Sequence, residues 1–298
     1  MLAECVAAVV SCIGHPRQTS RHFSYSLAPT ADAHGARAKV NIMSDIFGSR
    51  GAAVITGAAS GIGRATAKRF AERGMRLALF DVSEQALRAL ASEFAVETRV
   101  VAGDVSNPED IARLHNTAYD AFGAVTVLMN NAGTGGGSTF TSGLDRWHRI
   151  IDVNLWGVIN GVNHFMPSML AQKSRCAIIN TGSKQGITNP PGDPAYAISK
   201  AGVRTLTEQL AHALREEAGD RVSAHLLIPG WTYTGMTKSS DGAKPAGAWT
   251  AEQVVDRMIT SVTAGDFYIL CPDNAVSSEL DQRRLRWSVG DITENRPA

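Results

Sequence analysis

From Gly51 onward, short apolar runs rich in β-branched residues alternate with longer segments in which apolar positions recur every three or four residues. The short runs predict strands over Ala52–Thr56, Arg76–Phe80, Arg99–Ala102, Val125–Met129, Ala177–Asn180, Val222–Ile228 and Phe267–Leu270. The periodic stretches predict helices over Arg64–Glu72, Glu84–Phe94, Pro108–Phe122, Leu144–Gln172 and Tyr196–Ala218. Strand–helix alternation of this kind implies an α/β fold: a doubly wound parallel sheet of about seven strands with helices on both faces. Two stretches break the rhythm, Gly133–Gly143 and Gly230–Trp249, both rich in Gly, Ser, Thr and Pro. Each follows a strand, at the edge where open α/β sheets bind ligands. The second is long for a connection and reads as a mobile substrate lid.

Residues 1–48 read as an N-terminal extension to a single domain over 49–298. Met1 to Lys39 lacks a strong period and mixes Ser, His and Arg with few acids. Its apolar run from Val6 to Gly14 is short and follows Glu4, a poor secretory signal. Three explanations stay open: translation starting at Met43, a transit peptide carrying Arg17, Arg21 and Arg37, and a functional arm. The domain itself is long enough, at 44% hydrophobic residues in the whole chain, to bury a substantial core.

A net charge of +1 without a long basic face argues against a nucleic-acid partner. No stretch reaches the eighteen or so apolar residues of a membrane span. Cys5, Cys12, Cys176 and Cys271 form no C-x-x-C pair, so a reduced, cytoplasmic protein is expected unless the extension directs it to an organelle. The eight histidines show no metal-site spacing, and His148 and His164 read as packing or surface residues. The run Arg283-Arg284-Leu285-Arg286 reads as a solvated helix face. The tail after Leu270 either covers the pocket or decorates the surface.

The first chemical signal is the strand–turn–helix around Gly57, Ser60, Gly61, Ile62 and Gly63. Glycines at that G-x-x-x-G-x-G spacing let the backbone approach a pyrophosphate, whose charge is favoured at a helix N-terminus. Asp81 stands at the end of the next strand, where a carboxylate accepts hydrogen bonds from the adenosine ribose and repels a 2′-phosphate. That favours NAD over NADP. Arg64 is the residue within reach that argues the other way, and capping of the helix near Ser83 is the alternative use for Asp81.

The second signal is Tyr196 and Lys200, four residues apart on one helix face. An ammonium about 4 Å from a phenol, at an effective dielectric near 20, supplies on the order of 4 kcal/mol. That would lower the phenol pKa by about three units, toward neutral-pH acid/base work.

Together with Asn130-Asn131-Ala132-Gly133, Asn154, Ser183 and Pro229-Gly230, these motifs closely resemble the short-chain dehydrogenase/reductase family in its compact single-domain, Rossmann-type form, over roughly Ser49 to Leu270. The resemblance implies reversible oxidation of alcohols to carbonyls with a nicotinamide cofactor. It makes Tyr196 the acid/base, with Lys200 on the nicotinamide ribose, Ser183 on the reacting oxygen and Asn154 holding a relay water. It further implies cofactor contacts at Asp104, Val105, Asn131, Ala132 and Gly133, although Asp104 could equally cap the helix after Ser106. Beyond Pro229 and Gly230, Thr234 matches the residue facing the carboxamide, with Thr232 a substitute.

Substrate-facing candidates are Gln185, Asn189 through Asp193, Trp231 and Tyr233, the aromatics alternatively packing the loop. A small-molecule alcohol or carbonyl is the expected partner. The resemblance also suggests a homodimer or homotetramer through the helices at Asp145–Gln172 and Tyr196–Ala218. Ala201, Leu206 and Leu210 would then face a neighbour or, equally, the chain's own sheet. Two other readings remain: a catalytically idle dinucleotide-binding regulator, and an NADP-dependent reductase of acyl-carrier-linked ketones, which Asp81 disfavours.

Overall fold

The computed structural model describes residues 44–237 and 243–296, so the expectations for the first forty-three residues and for Lys238–Gly242 in the long loop lie outside the described residues. Seven strands form one parallel sheet: β1 (Ala52–Thr56), β2 (Arg76–Asp81), β3 (Thr98–Ala102), β4 (Val127–Asn130), β5 (Cys176–Thr181), β6 (Val222–Ile228) and β9 (Tyr268–Leu270). Their order is β3-β2-β1-β4-β5-β6-β9, the doubly wound arrangement expected from the alternating pattern. Two short strands, β7 (Thr232–Tyr233) and β8 (Trp249–Thr250), pair with each other and close the stem of the long loop.

Successive side chains of the inner strands enter opposite layers. Ala53 and Ile55 of β1 join one core with Phe70 and Met258, while Ala52 and Val54 join the other with Phe165 and Leu214. Helices α1 (Gly61–Glu72) and α8 (Ala251–Ala264) bring Phe70 and Met258 to the first layer. The second is covered by α3 (Pro108–Phe122), α5 (Gly157–Ala171) and α7 (Pro194–Ala218). Helix α2 (Glu84–Ala91) stops three residues before Phe94, because the chain closes there in tight turns from Glu93 N to Leu90 O and Phe94 N to Ala91 O.

The packed chain begins before residue 49. Ser44–Phe47 form a 3₁₀ turn, and Ile46 and Phe47 are buried, with the Phe47 ring 5.4 Å from that of Phe70. Helix α8 was not resolved by the hydrophobic pattern, yet it carries a full capping box between Thr250 and Gln253.

The stretch 144–172 is not one continuous helix. Helix α4 (Leu144–Ile151) passes into a π-helical turn at Asp152–Trp156 before α5 begins. Such turns concentrate at functional sites, and this one carries Asn154, fully buried.

Candidate active site

The strand order reverses between β1 and β4, the switch point at which open α/β sheets leave a crevice beyond their C-terminal ends. Thr56, the last residue of β1, holds the two strand ends in register there. Its Oγ1 accepts hydrogen bonds from Asn131 N at 2.9 Å and Ala132 N at 3.1 Å, and Asn131 Nδ2 returns one to Thr56 O at 3.0 Å. A single open cavity of about 890 Å³ runs from this crevice along the sheet edge.

At one end the cavity is lined by Gly57, Ser60, Gly61 and Ile62. Gly57 and Gly61 sit at φ +65° and +51°, a conformation that favours glycine, and a Cβ on Gly57 would stand 2.8 Å from Ala132 Cα. Gly63 does not line the cavity. A Cβ there would fall 2.1 Å from Gly57 O, so its absence lets α1 pack against the turn. Ser60 makes no side-chain cap on α1, whereas Ser83, Asn107, Asp193, Thr250 and Ser277 cap their helices. The first-turn N–H groups of α1 are therefore left facing the crevice, which suits an anion.

Asp81 lines the same end, its Oδ2 accepting from Ala59 N at 3.1 Å and its Oδ1 from Ser83 N at 3.2 Å. The cap of α2 is Ser83 itself, so Asp81 is not the helix cap. Arg64 is drawn away to Glu93 at 2.9 Å, a carboxylate it shares with Lys68. Asp104 also lines the cavity. It closes a local turn through Ser106 N at 2.9 Å, and Asn107 rather than Asp104 caps α3. Val105 beside it is buried, its carbonyl held by Asn160 Nδ2 at 2.9 Å.

Further along, the walls are Asn131, Ala132 and Gly133 on one side and Pro229, Gly230, Thr232 and Thr234 on the other. Thr232 is buried with its hydroxyl on Gly230 O at 3.1 Å; Thr234 faces the glycine turn, and a Cβ on Gly61 would meet its Cγ2 at 3.1 Å. Thr234 therefore stands across the cavity from the glycine turn. Asn130 lies beneath the surface, its Nδ2 bonded to Asn180 Oδ1 at 2.9 Å, tying β4 to β5.

Ser183, Tyr196 and Lys200 line the middle of the cavity, and Asn154 lies just behind it. A Cβ on Gly133 would lie 3.2 Å from Asn154 Oδ1, a tight contact, and 3.7 Å from Lys200 Nζ, so the bare glycine backbone eases the approach of Asn154 in particular. Asn154 Oδ1 accepts from Thr134 N at 2.7 Å, and its Nδ2 donates to Thr134 O at 2.9 Å and Ser199 Oγ at 3.3 Å. Lys200 Nζ donates to Thr181 O at 2.9 Å and stands 5.8 Å from the Tyr196 ring centre.

The electrostatics correct the sequence expectation of a tyrosine lowered by its lysine. Burial pushes the Tyr196 phenol up from its ordinary value, the Ser183 hydroxyl opposes that, and the Asp193 carboxylate adds to it. Burial also pulls the Lys200 ammonium down to about 8. The two groups share one desolvated wall, so each is moved toward its neutral form.

Asp193, a substrate-facing candidate, lines the cavity, and its carboxylate also closes the N-terminus of the Tyr196 helix. Oδ1 accepts from Tyr196 N at 3.4 Å, from Ser138 N at 3.0 Å and from the Ser138 hydroxyl, while Oδ2 accepts from Gly137 N at 2.8 Å. Ser138 Oγ in turn accepts from Ala195 N at 2.9 Å. The glycine-rich loop after β4 is thereby clasped to α7, and Ser138 carried no local sequence signal for this. Gln185 and Trp231 do line the cavity; Asn189, in contrast, takes the left-handed turn that ends α6 (Gln185–Thr188). Leu210 of the candidate oligomer stripe is buried in the chain's own second core layer.

Comparison with known proteins accords with this geometry. A family model described as short chain dehydrogenase matches residues 51–244. The 1-deoxy-11-beta-hydroxypentalenate dehydrogenase of Streptomyces exfoliatus is 32% identical over 250 residues, covering 81% of this chain and 88% of that protein. A short chain dehydrogenase/reductase of Burkholderia phymatum, solved in complex with NAD, is 34% identical with a TM-score of 0.74, covering 83% of this chain and 95% of that one. The 3-ketoacyl-(acyl-carrier-protein) reductase of Brucella melitensis, solved with NADH, is 25% identical with a TM-score of 0.67, over 75% of this chain and 97% of that one. The chain belongs to the short-chain dehydrogenase/reductase family of oxidoreductases.

Proposed function

We propose that this protein moves hydride between NAD(H) and a secondary alcohol or its carbonyl, using Tyr196, Ser183, Lys200 and Asn154. The observation that carries the reading is the convergence of Ser183, Tyr196 and Lys200 on one cavity, with Asn154 just behind it, whose far end offers an uncapped helix N-terminus and Asp81. A nicotinamide dinucleotide bound there supplies the hydride acceptor or donor. The uncapped turn at Gly57–Ile62 suits its pyrophosphate, Asp81 its adenosine ribose, and Thr234 its carboxamide end.

In the reductive direction Tyr196 gives its phenolic proton to the substrate oxygen, and Ser183 donates a hydrogen bond to that oxygen as its charge changes. Lys200, fixed by Thr181 O, replenishes the site's proton and orients the bound ribose. Both N–H groups of the Asn154 amide are engaged, and Oδ1 already accepts from Thr134 N, which leaves one Oδ1 lone pair for a relay water. The regulator reading has less support, because no member of this set is replaced.

The preference for NAD over NADP is supported by Asp81, whose carboxylate at this end of the cavity would repel a 2′-phosphate, and by the pairing of Arg64 with Glu93. The acyl-carrier reductase reading needs the opposite arrangement. The test is oxidation of a panel of secondary alcohols with NAD⁺ and NADP⁺ in parallel. Turnover favouring NAD⁺ is expected; equal or better use of NADP⁺ refutes the cofactor assignment, and failure to bind either dinucleotide refutes the reading as a whole. A homodimer or homotetramer is part of the proposal, with Trp156 and Ile198 as exposed apolar residues near the two helices concerned.

A further inference from the structure

Lys184 follows Ser183 directly and lines the cavity. An ammonium lining a substrate cavity would ordinarily anchor an anionic substrate. Here it is closed off from behind by two carboxylates of the C-terminal segment. Its Nζ lies 2.6 Å from Asp281 Oδ2 and 3.2 Å from Asp273 Oδ2. Asp281 belongs to the C-terminal helix α9 (Ser278–Thr293), and Asp273 to the turn after β9. Their side chains are 1% and 5% exposed, that of Lys184 13%.

Neither oxygen of Asp281 has an aligned hydrogen-bond donor among the described residues, although the ion pair is short. The ammonium is thus the compensation this carboxylate depends on, and it cannot swing away without leaving a buried charge unpaired. Asp273 is held differently. Its Oδ2 accepts from Trp231 N at 3.1 Å and its Oδ1 from Ala275 N at 3.1 Å and Val276 N at 2.8 Å. A Cβ on Gly230 would lie 2.6 Å from its Oδ2. One lysine therefore faces two aspartates, and the cluster carries one net negative charge. Trp231 and Met236, 45% and 54% exposed, line the same cavity with apolar surface.

We infer that Asp273 and Asp281 are specificity-determining residues that cancel Lys184 and make this end of the cavity select uncharged, apolar carbonyl compounds over carboxylate- or phosphate-bearing ones. The C-terminal segment is then part of the substrate site through charge, without its carboxylates touching the substrate. The inference rests on the reading above that the substrate lies against Ser183. It works by rejection: an anion approaching Lys184 also approaches two fixed carboxylates.

The test is calorimetric titration of the full-length chain, with and without saturating NADH, using cyclohexanone and cyclohexanecarboxylate as a matched pair. The unsubstituted protein is expected to bind the ketone at least about fivefold more tightly than the carboxylate. In Asp281→Asn the carboxylate should bind about tenfold more tightly than in the unsubstituted protein, with the ketone little changed. Asp273→Asn should gain in the same direction, and Lys184→Met added to Asp281→Asn should erase the gain. No gain for the carboxylate in either aspartate variant overturns the inference, whatever the ketone does. Loss of fold and NADH binding in both would show a purely structural cluster and overturn it as well. Failure of NADH to bind the unsubstituted protein would instead refute the dinucleotide reading, and the carboxylate comparison without NADH would still decide this one.

Discussion

Replacing Lys200 by Met should abolish turnover and at the same time make the protein more stable near neutral pH. Lys200 is 4% exposed, and burial pulls its ammonium from 10.5 down to about 8. At about 1.4 kcal/mol per pH unit, that gap of about 2.5 units corresponds to about 3 kcal/mol. The sign follows from proton binding. Below pH 8 the folded and unfolded chains both hold the proton, and the folded chain bears the full cost of a buried charge. Between about 8 and 10.5 the folded chain has released the proton and the unfolded chain has not, so stability rises with pH until the penalty is gone.

Methionine fills a similar volume without charge, but it forfeits the bond to Thr181 O, worth about 1–2 kcal/mol with the carbonyl left unpaired. The net gain at pH 7 is about 1–2 kcal/mol. For a domain of this size that raises Tm by about 3–6 °C. Thermal unfolding of both proteins without dinucleotide, at intervals from pH 7 to 10.5, measures it. The advantage of the variant should shrink across that range and change sign near its top. A variant less stable at pH 7, or a difference that does not move with pH, would refute the assignment of a strained, buried ammonium.

Four further outcomes follow from other contacts in the structure. Asp193→Ala removes the cap of α7 and the anchor of the loop after β4, and should cost about 2–4 kcal/mol in denaturant unfolding, whereas Asp193→Asn keeps a capping oxygen and should cost less. Because the Asp193 carboxylate raises the Tyr196 phenol, Asp193→Asn should also move the Tyr196-dependent limb of the pH–rate profile for alcohol oxidation to lower pH; an unchanged limb would count against that coupling. Asp81→Ser should raise the NADP⁺ to NAD⁺ ratio of kcat/KM by at least about tenfold, and no change would mean that Asp81 does not read the ribose. Burial holds the His225 imidazole below its ordinary value against its bond to Asp266 O, so the unfolded chain takes up a proton that the folded chain resists. Tm should therefore fall from pH 7 to 5, and less steeply in His225→Gln.

What could be read in the sequence was local in origin. The β1 run, the glycine turn and Asp81 lie within thirty residues and obey one geometry, so strand, turn and carboxylate were all legible before folding. The Tyr196–Lys200 spacing was legible for the same reason. The direction of the tyrosine's pKa was not, because it depends on how deeply the fold buries the phenol, and burial outweighs the Ser183 hydroxyl that opposes it. The π turn at Asn154 was hidden inside a helical period that continues on both sides of it. Asp193 and Ser138 meet across 55 residues, and Lys184 and Asp273 across 89, so no periodicity or spacing rule links them. Both pairs use ordinary polar residues whose role exists only once the sheet edge has brought loop, helix and C-terminal segment together.

The most direct test of the central claim compares Tyr196→Phe with the unsubstituted protein, measuring NADH affinity and alcohol-dependent NAD⁺ reduction on the same samples. The account predicts dinucleotide affinity within about twofold and turnover reduced by about 10²–10⁴-fold, the usual range for loss of a general acid/base. Turnover unchanged in the phenylalanine variant would contradict it.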